Sequence, residues 1–207
     1  MAATRGDSSG RPILLNDEHF VVVPTLGASH PHHLLVCAHE IRTGLYHMTD
    51  VELLRLDEIV MAIERALSRL HPGPFVMFEN GTAEGGRSGC SVVQHHLHVV
   101  PIEYRFDLQM AAHPSNFVIA NDLKMLRKTA LSLGDYLLIK QPNRPYAICS
   151  RGGLPSQYMR KIVGRLNEVE KWDWRAFGKP SDWLEQEKAL RPLAGAISHE
   201  LSLNASN

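Results

Sequence analysis

Several absences bound this chain before any motif is considered. It has only three cysteines, Cys37, Cys90 and Cys149, and none are in CxxC spacing. An odd, scattered set argues against a disulfide framework and against a thiolate zinc site. Net charge is also absent, because Lys plus Arg number 22 and Asp plus Glu number 22. That balance gives no reason to expect a broad nucleic-acid or membrane surface, and leaves room for a small anionic ligand in a local pocket. No apolar run is long enough to span a bilayer. Residues 1–10 are small and polar, lack the apolar core of a signal peptide, and read as a disordered lead-in to a cytoplasmic protein. There is no internal repeat or low-complexity tract.

What the chain has in excess is histidine, 12 residues in all. They are clustered: His30, His32 and His33 stand together, and so do His95, His96 and His98. The hydropathy pattern places both clusters. Ile13-Leu14-Leu15 and Phe20 to Val23 read as strands around the turn Asn16-Asp17-Glu18. The stretch from Thr25 to Pro31 is a loop, and Leu34 to Cys37 is a short buried strand. Thr49-Asp50-Val51-Glu52 fits a capping box. Behind it Val51, Leu54, Ile59, Ile63, Ala66 and Leu70 recur at helical spacing, predicting one long helix that ends before Pro72-Gly73-Pro74. Phe75 to Phe78 and residues 91–100 read as strands on either side of a glycine-rich loop, residues 81–89.

The second half differs in texture. Residues 122–133 read as a helix, 136–139 and 146–149 as strands, and Pro155 as the first-turn proline of a helix through Val169. The predicted fold class is α+β: an antiparallel sheet carrying a long packed helix, followed by a mixed α/β C-terminal extension. The expected organisation is a disordered stretch 1–10, a core 11–104, an extension 105–192 that helps shape the substrate pocket, and a fraying tail 193–207.

Chemistry concentrates in Ser91-Val92-Val93-Gln94-His95-His96-Leu97-His98-Val99-Val100-Pro101. Side chains alternate on a strand, so Gln94, His96 and His98 share one face while His95, Leu97 and Val99 share the other. His-x-His alone is a weak signal, since a chain this rich in histidine supplies about 0.7 such pairs by chance. Its weight comes from context: a β-rich run, a glycine loop before it and a proline stop after it.

With that context, residues 89–101 resemble the signature of the histidine-triad superfamily, and residues 12–101 as a whole match its order of segments. His33-Leu34-Leu35-Val36-Cys37-Ala38 resembles the family's upstream strand, and Phe20-Val21-Val22-Val23-Pro24 its opening strand. The resemblance implies a nucleotidyl hydrolase in which His96 attacks the α-phosphorus of a nucleotide and forms a covalent nucleotidyl-histidine. His98 would contact phosphoryl oxygens or assist the leaving group. Ser91, Asn80 and the Gly89 end of the loop would bind phosphate, with Gln94 in a supporting place. No metal and no cofactor are required. Leu154-Pro155-Ser156-Gln157-Tyr158-Met159-Arg160 and Trp172-Asp173-Trp174-Arg175 resemble segments of larger members, which implies that Gln157 and Arg160 reach the phosphates or the leaving group from the extension. Partners would be a nucleotide or nucleotide-linked small molecule and, as in many members, a second copy of the chain.

The chain also departs from the pattern. Gln94 stands where the first histidine of the triad belongs, the upstream histidine is missing or displaced to His39, and Cys90 precedes Ser91. Alternatives therefore stand beside the hydrolase: a phosphorylase or nucleotidyltransferase of the same mechanism, a nucleotide-binding module without turnover, or a metal site using His96 and His98 with His33 or His39. The bland expectations are that His30, His32 and His33 lie in a solvated loop, and that His95 is structural. Trp172 and Trp174 pack the extension, and Arg42, Arg65, Arg69 and residues 124–128 line solvated helix faces.

Overall fold

A computed structural model describes residues 5–6, 11–71, 73–82, 94–107, 117–170, 172–179 and 182–204. It is an α+β protein built on one antiparallel sheet of eight strands. In chain order the strands are β1 (Arg5–Gly6), β2 (Pro12–Ile13), β3 (Leu15–Asn16), β4 (Phe20–Pro24), β5 (Leu34–Ala38), β6 (Phe75–Gly81), β7 (His96–Pro101), β8 (Val118–Ala120), β9 (Tyr136–Lys140) and β10 (Tyr146–Ser150). Their order across the large sheet is β3-β4-β5-β7-β6-β9-β10-β8, and β1 pairs only with β2. Arg5–Gly6 are thus strand residues, where a disordered lead-in was expected; the rest of residues 1–10 lies outside the described residues. Among the described residues no helix is long and apolar enough to cross a membrane.

The expected core and extension share this sheet. β9 pairs with β6 through Met77↔Lys140 to Gly81↔Tyr136, so strands of the second half continue the sheet of the first. Each face then has its own cover. On one face lie helix α1 (Asp50–Leu70), helix α2 (Leu123–Leu133) and part of helix α5 (Asp182–Asn204), packed on Phe20, Val22, Val36, Leu97 and Val99. On the other face helix α3 (Tyr158–Leu166) packs Met159, Val163 and Leu166 against Val76, Phe78, Val100, Leu137 and Ile139. A one-turn helix, α4 (Trp174–Phe177), follows α3.

The local signals are instructive where they hold and where they fail. α1 starts as its sequence requires: Thr49 accepts from the amide of Glu52, and the Glu52 carboxylate accepts from the amide of Thr49 at 2.7 Å. Its buried stripe, however, runs through Leu53, Leu56, Ile59, Val60, Ile63 and Leu67, while Val51, Leu54 and Leu70 point to solvent. Apolar residues occupy more than half the helix circumference, and only the sheet selects the face. α3 begins at Tyr158, three residues later than Pro155 predicts. Gln157 adopts the left-handed conformation, φ 60°, and its turn delays the helix.

Two expectations at the C-terminus are corrected. Residues 193–204 belong to α5 and bury Leu193, Ala194 and Ile197 against α1, so they are not a fraying tail. Arg65 and Arg69 do not line a solvated face only; both pair with Glu200 of α5, Arg65 at 2.6 Å, and the Glu200 side chain is almost fully buried. A buried carboxylate needs such partners. Lys124 and Arg127 likewise pair with Asp50 at 2.6 and 2.7 Å.

Thr49→Ala is expected to lower stability by about 1 kcal/mol in chemical denaturation, the usual worth of a hydroxyl cap, whereas Leu54→Gln, at an exposed position of the same helix, should change it by less than about 0.5 kcal/mol.

Candidate active site

β7 sits between β5 and β6, and its register determines what meets His96 and His98. Cys37 pairs with His96 and Leu35 with His98 on one side. Phe78 pairs with His98 on the other. Paired residues share a face, so Leu35, Cys37, His96, His98 and Phe78 all lie on the α3 face. Extending the Phe78↔His98 register by two residues brings Asn80 opposite His96 on that same face. Leu97 and Val99 enter the opposite core, as strand alternation predicts. The His98 ring stacks on Phe78, with centroids 4.5 Å apart and planes 11° apart, and stands edge-on to His96 at 5.1 Å.

The hydrogen bonds of the two imidazoles determine their tautomers. His96 Nδ1 lies 2.7 Å from the carbonyl oxygen of Gln94. A carbonyl only accepts, so Nδ1 carries the hydrogen and the lone pair resides on Nε2, at the opposite edge of the ring. His98 is set from further away. The amide of Ser29 donates to His33 Nδ1 at 3.3 Å, which makes His33 Nε2 the N–H nitrogen. His33 Nε2 lies 3.0 Å from His98 Nδ1 and donates to it, so His98 carries its own hydrogen on Nε2. Neighbouring rings on one strand therefore hold opposite tautomers: His96 with a nucleophilic nitrogen, His98 with a donor.

Burial keeps both members of the second pair neutral. Desolvation, reinforced by the charge of Arg160 and by neighbouring imidazoles, holds His33 and His98 well below the ordinary imidazole range. His30 is depressed to about 4, first by burial and then by His32 and His71.

A cavity of about 230 Å³ opens over the two rings. His96, His98 and Gln94 form one wall with Cys37 and Leu35 of β5. Arg11, Trp174 and Trp183 also line it, and Arg160 reaches it from α3. Two arginines and no carboxylate face this space among its described residues. Burial pushes the Cys37 thiol up to about 11, so it enters as a small apolar group.

The positions expected from sequence separate into three groups. His96, His98, Gln94 and Arg160 line the cavity. Gln94 also donates its side-chain amide to Ala38 O, tying the start of β7 to the end of β5. Arg160 spends donors on structure: it bonds Thr25 Oγ1 at 3.1 Å, Leu26 O at 2.9 Å, Gly27 O, and Trp172 O at 3.2 Å, and so clamps the β4–β5 loop. Gly27 is needed there, since φ is +56° and an added Cβ would come within 2.8 Å of the Trp174 backbone. Asn80 and Gln157 lie outside the cavity; Gln157 directly precedes α3 and donates to Asp173 Oδ1 at 2.7 Å. Ser91, Gly89 and the loop before them lie outside the described residues.

Other histidines also find their places. His95 also lines the cavity; its ring is buried edge-on to Phe20, with Nε2 3.3 Å from Glu79 Oε2 but without hydrogen-bond alignment. His39 is exposed and bonds Asp17 O, away from the cavity. His33 is buried in the relay, not solvated. Alternation along β5 places it on the same face as Leu35 and Cys37, which is the signal that could have found it. Arg11 and Trp183 had no sequence signal: they come from opposite ends of the chain. Trp172 packs on Gly164 of α3 as expected, but Trp174 lines the cavity. Among the described residues no group of three His, Cys, Asp or Glu side chains is placed to hold a metal ion. Compared with models of known protein families and with curated proteins, the chain matches none.

The depressed imidazoles give the fold a pH dependence of known sign. As pH falls below about 6.5, the unfolded chain takes up protons that folded His30, His32, His33 and His98 refuse, so stability present at pH 7 is lost. The denaturation midpoint is therefore expected to be lower at pH 5 than at pH 7, with a smaller drop in His30→Asn. Equal midpoints would contradict the assignment of neutral buried rings.

Proposed function

We propose that this chain is a nucleotidyl hydrolase of histidine-triad type, with His96 as nucleophile. The observation that carries the reading is the pair of opposite tautomers on one strand, facing a cavity that holds two arginines and, among the described residues, no carboxylate. A nucleophilic imidazole needs its lone pair toward the electrophile and its other nitrogen tied to an acceptor. The Gln94 carbonyl supplies that tie for His96, whose side chain lines the cavity.

The chemistry follows from these groups. His96 Nε2 attacks the α-phosphorus of a bound nucleotide. The P–O bond to the leaving group breaks, and its electron pair departs with that oxygen. The ring becomes an imidazolium, and its Nδ1–H bond to Gln94 O strengthens as the charge develops. His98, neutral and donating from Nε2, holds the leaving or a non-bridging oxygen. It acts as a hydrogen-bond donor through its tautomer, without having to be protonated. Arg160 and Arg11 supply positive potential where negative charge accumulates. Water then attacks phosphorus, the P–N bond breaks with its electron pair returning to Nε2, and the proton that the water loses passes to the departed leaving-group oxygen or to solvent, so His96 returns to its neutral form. Gln94 takes part through its backbone carbonyl, so the chemistry tolerates an amide side chain where the family's first histidine belongs.

Incubation with a panel of α-labelled nucleotides followed by denaturing mass analysis tests this. An acid-labile nucleotidyl adduct on His96 is expected, absent in His96→Ala. His98→Gln should keep the adduct while lowering kcat by about 10²–10³-fold, the cost of one donor to a developing oxyanion. Unimpaired turnover in His96→Ala would overturn the proposal.

A further inference from the structure

Ser29 gives the His33–His98 relay two ways to point. Its amide donates to His33 Nδ1 at 3.3 Å, and its hydroxyl oxygen lies at the same distance from the same nitrogen. With the amide as partner, His33 Nδ1 accepts and Nε2 donates to His98 Nδ1. With the hydroxyl as acceptor, His33 would carry its hydrogen on Nδ1 and accept at Nε2 from His98 Nδ1, leaving a lone pair on His98 Nε2. Both states keep the 3.0 Å bond between the rings; only its direction changes. In a packed core, a small shift of the group at the end of such a relay selects between the two.

What fixes Ser29 therefore fixes His98. The amide hydrogen belongs to the Ala28–Ser29 peptide, and both neighbouring peptides are tied down. Gly27 O accepts from Arg160 Nη2, and Ser29 O accepts from Asn167 Nδ2 at 2.9 Å. Asn167 directly follows α3, and its own amide closes that helix on Val163 O at 3.0 Å. Its Nδ2 also donates to Pro101 O at 2.9 Å, at the end of the strand that carries His98, and its Oδ1 accepts from the amide of Glu103 at 3.0 Å. Two carbonyls need an NH2 and one amide needs an oxygen, so the network sets the orientation of the carboxamide. An aspartate of the same length would offer no donor. One side chain thus joins the loop that starts the relay to the strand that ends it.

From this geometry we infer that Asn167 is a positioning residue, which locks His98 in its donor tautomer by keeping the Ser29 amide, and not the Ser29 hydroxyl, as the partner of His33. It acts through Ser29 and the end of β7. The inference deepens the nucleotidyl reading, whose chemistry needs a hydrogen on His98 Nε2, and it rests on that reading for its catalytic meaning. The tautomer itself is a property of the folded chain without substrate.

Long-range proton–nitrogen correlation spectra of the full chain, with its histidines labelled with nitrogen-15, test the lock, because the two neutral tautomers give different cross-peak patterns. The His96 and His98 signals are assigned from His96→Ala and His98→Gln. In the wild-type chain His98 is expected with its hydrogen on Nε2 and His96 with its hydrogen on Nδ1. Asn167→Asp keeps the acceptor for Glu103 and removes both donors. It should raise the ratio of Nδ1–H to Nε2–H in His98 about tenfold, the order of one lost hydrogen bond, and leave His96 unchanged. Asn167→Ala repeats the test without adding a carboxylate. Ser29→Ala removes the competing hydroxyl, so adding it to either Asn167 variant should return His98 to the wild-type ratio, a rescue that a merely structural role would not give. A wild-type His98 with its hydrogen on Nδ1, an unchanged ratio in both Asn167 variants, or a changed ratio that Ser29→Ala does not reverse overturns the lock. Loss of the His96 pattern in both variants overturns it too, since Asn167 would then serve folding as a whole. The spectra need no substrate, so the two readings fail separately: tautomers as stated in a chain that forms no nucleotidyl adduct would overturn the hydrolase and leave the lock.

Discussion

The pairing of β7 between β5 and β6 is the constraint from which the candidate site follows. Because side chains alternate, a slip of one residue in the β5–β7 register would send His96 and His98 into the α1 core and turn Leu97 and Val99 outward. The register is held from both faces. Leu97 and Val99 are buried among Leu34, Val36 and the α1 residues, while Phe78 stacks on His98 from the neighbouring strand. Packing energy spread over the whole sheet thus places two imidazoles.

Placement alone would not give the rings different chemistry; their backbone contacts do. His96 is oriented by a carbonyl two residues earlier in its own chain. His98 is oriented by a relay that ends in the amide of Ser29 on the β4–β5 loop. That loop is held by the second half of the chain: Arg160 bonds Thr25, Leu26 and Gly27, Asn167 donates to Ser29 O at 2.9 Å, and Gln186 of α5 donates to Thr25 O at 3.3 Å. Residues far from the cavity's chemistry therefore help decide which nitrogen of His98 carries hydrogen. Arg160, expected at the substrate, does most of its visible bonding in this clamp while its charge still reaches the site and disfavours protonation of His33 and His98.

Burial supplies the remaining control. In water both imidazoles of the relay would titrate near neutrality. In the sheet, desolvation keeps them neutral, and a neutral chain of donors and acceptors has a single direction. The same burial raises the thiol of Cys37, the cross-strand partner of His96, and removes a competing nucleophile from the cavity.

Much of this protein was legible in its sequence, because some signals act over a few residues. The Thr49–Glu52 capping box, the alternation that separates His96 and His98 from Leu97 and Val99, and the short apolar runs that became β4, β5, β6, β9 and β10 all depend on local geometry. Other features required the folded chain. The buried face of α1 was decided by the sheet, the helical C-terminus by Glu200 and the apolar residues that meet α1, and the continuity of the two halves by the β6–β9 pairing. The cavity lining joins Arg11 to Trp183, and the tautomer of His98 depends on Ser29, sixty-nine residues earlier. Contacts between such distant positions leave no periodicity in a sequence, since they exist only once burial has brought the strands and their loops together.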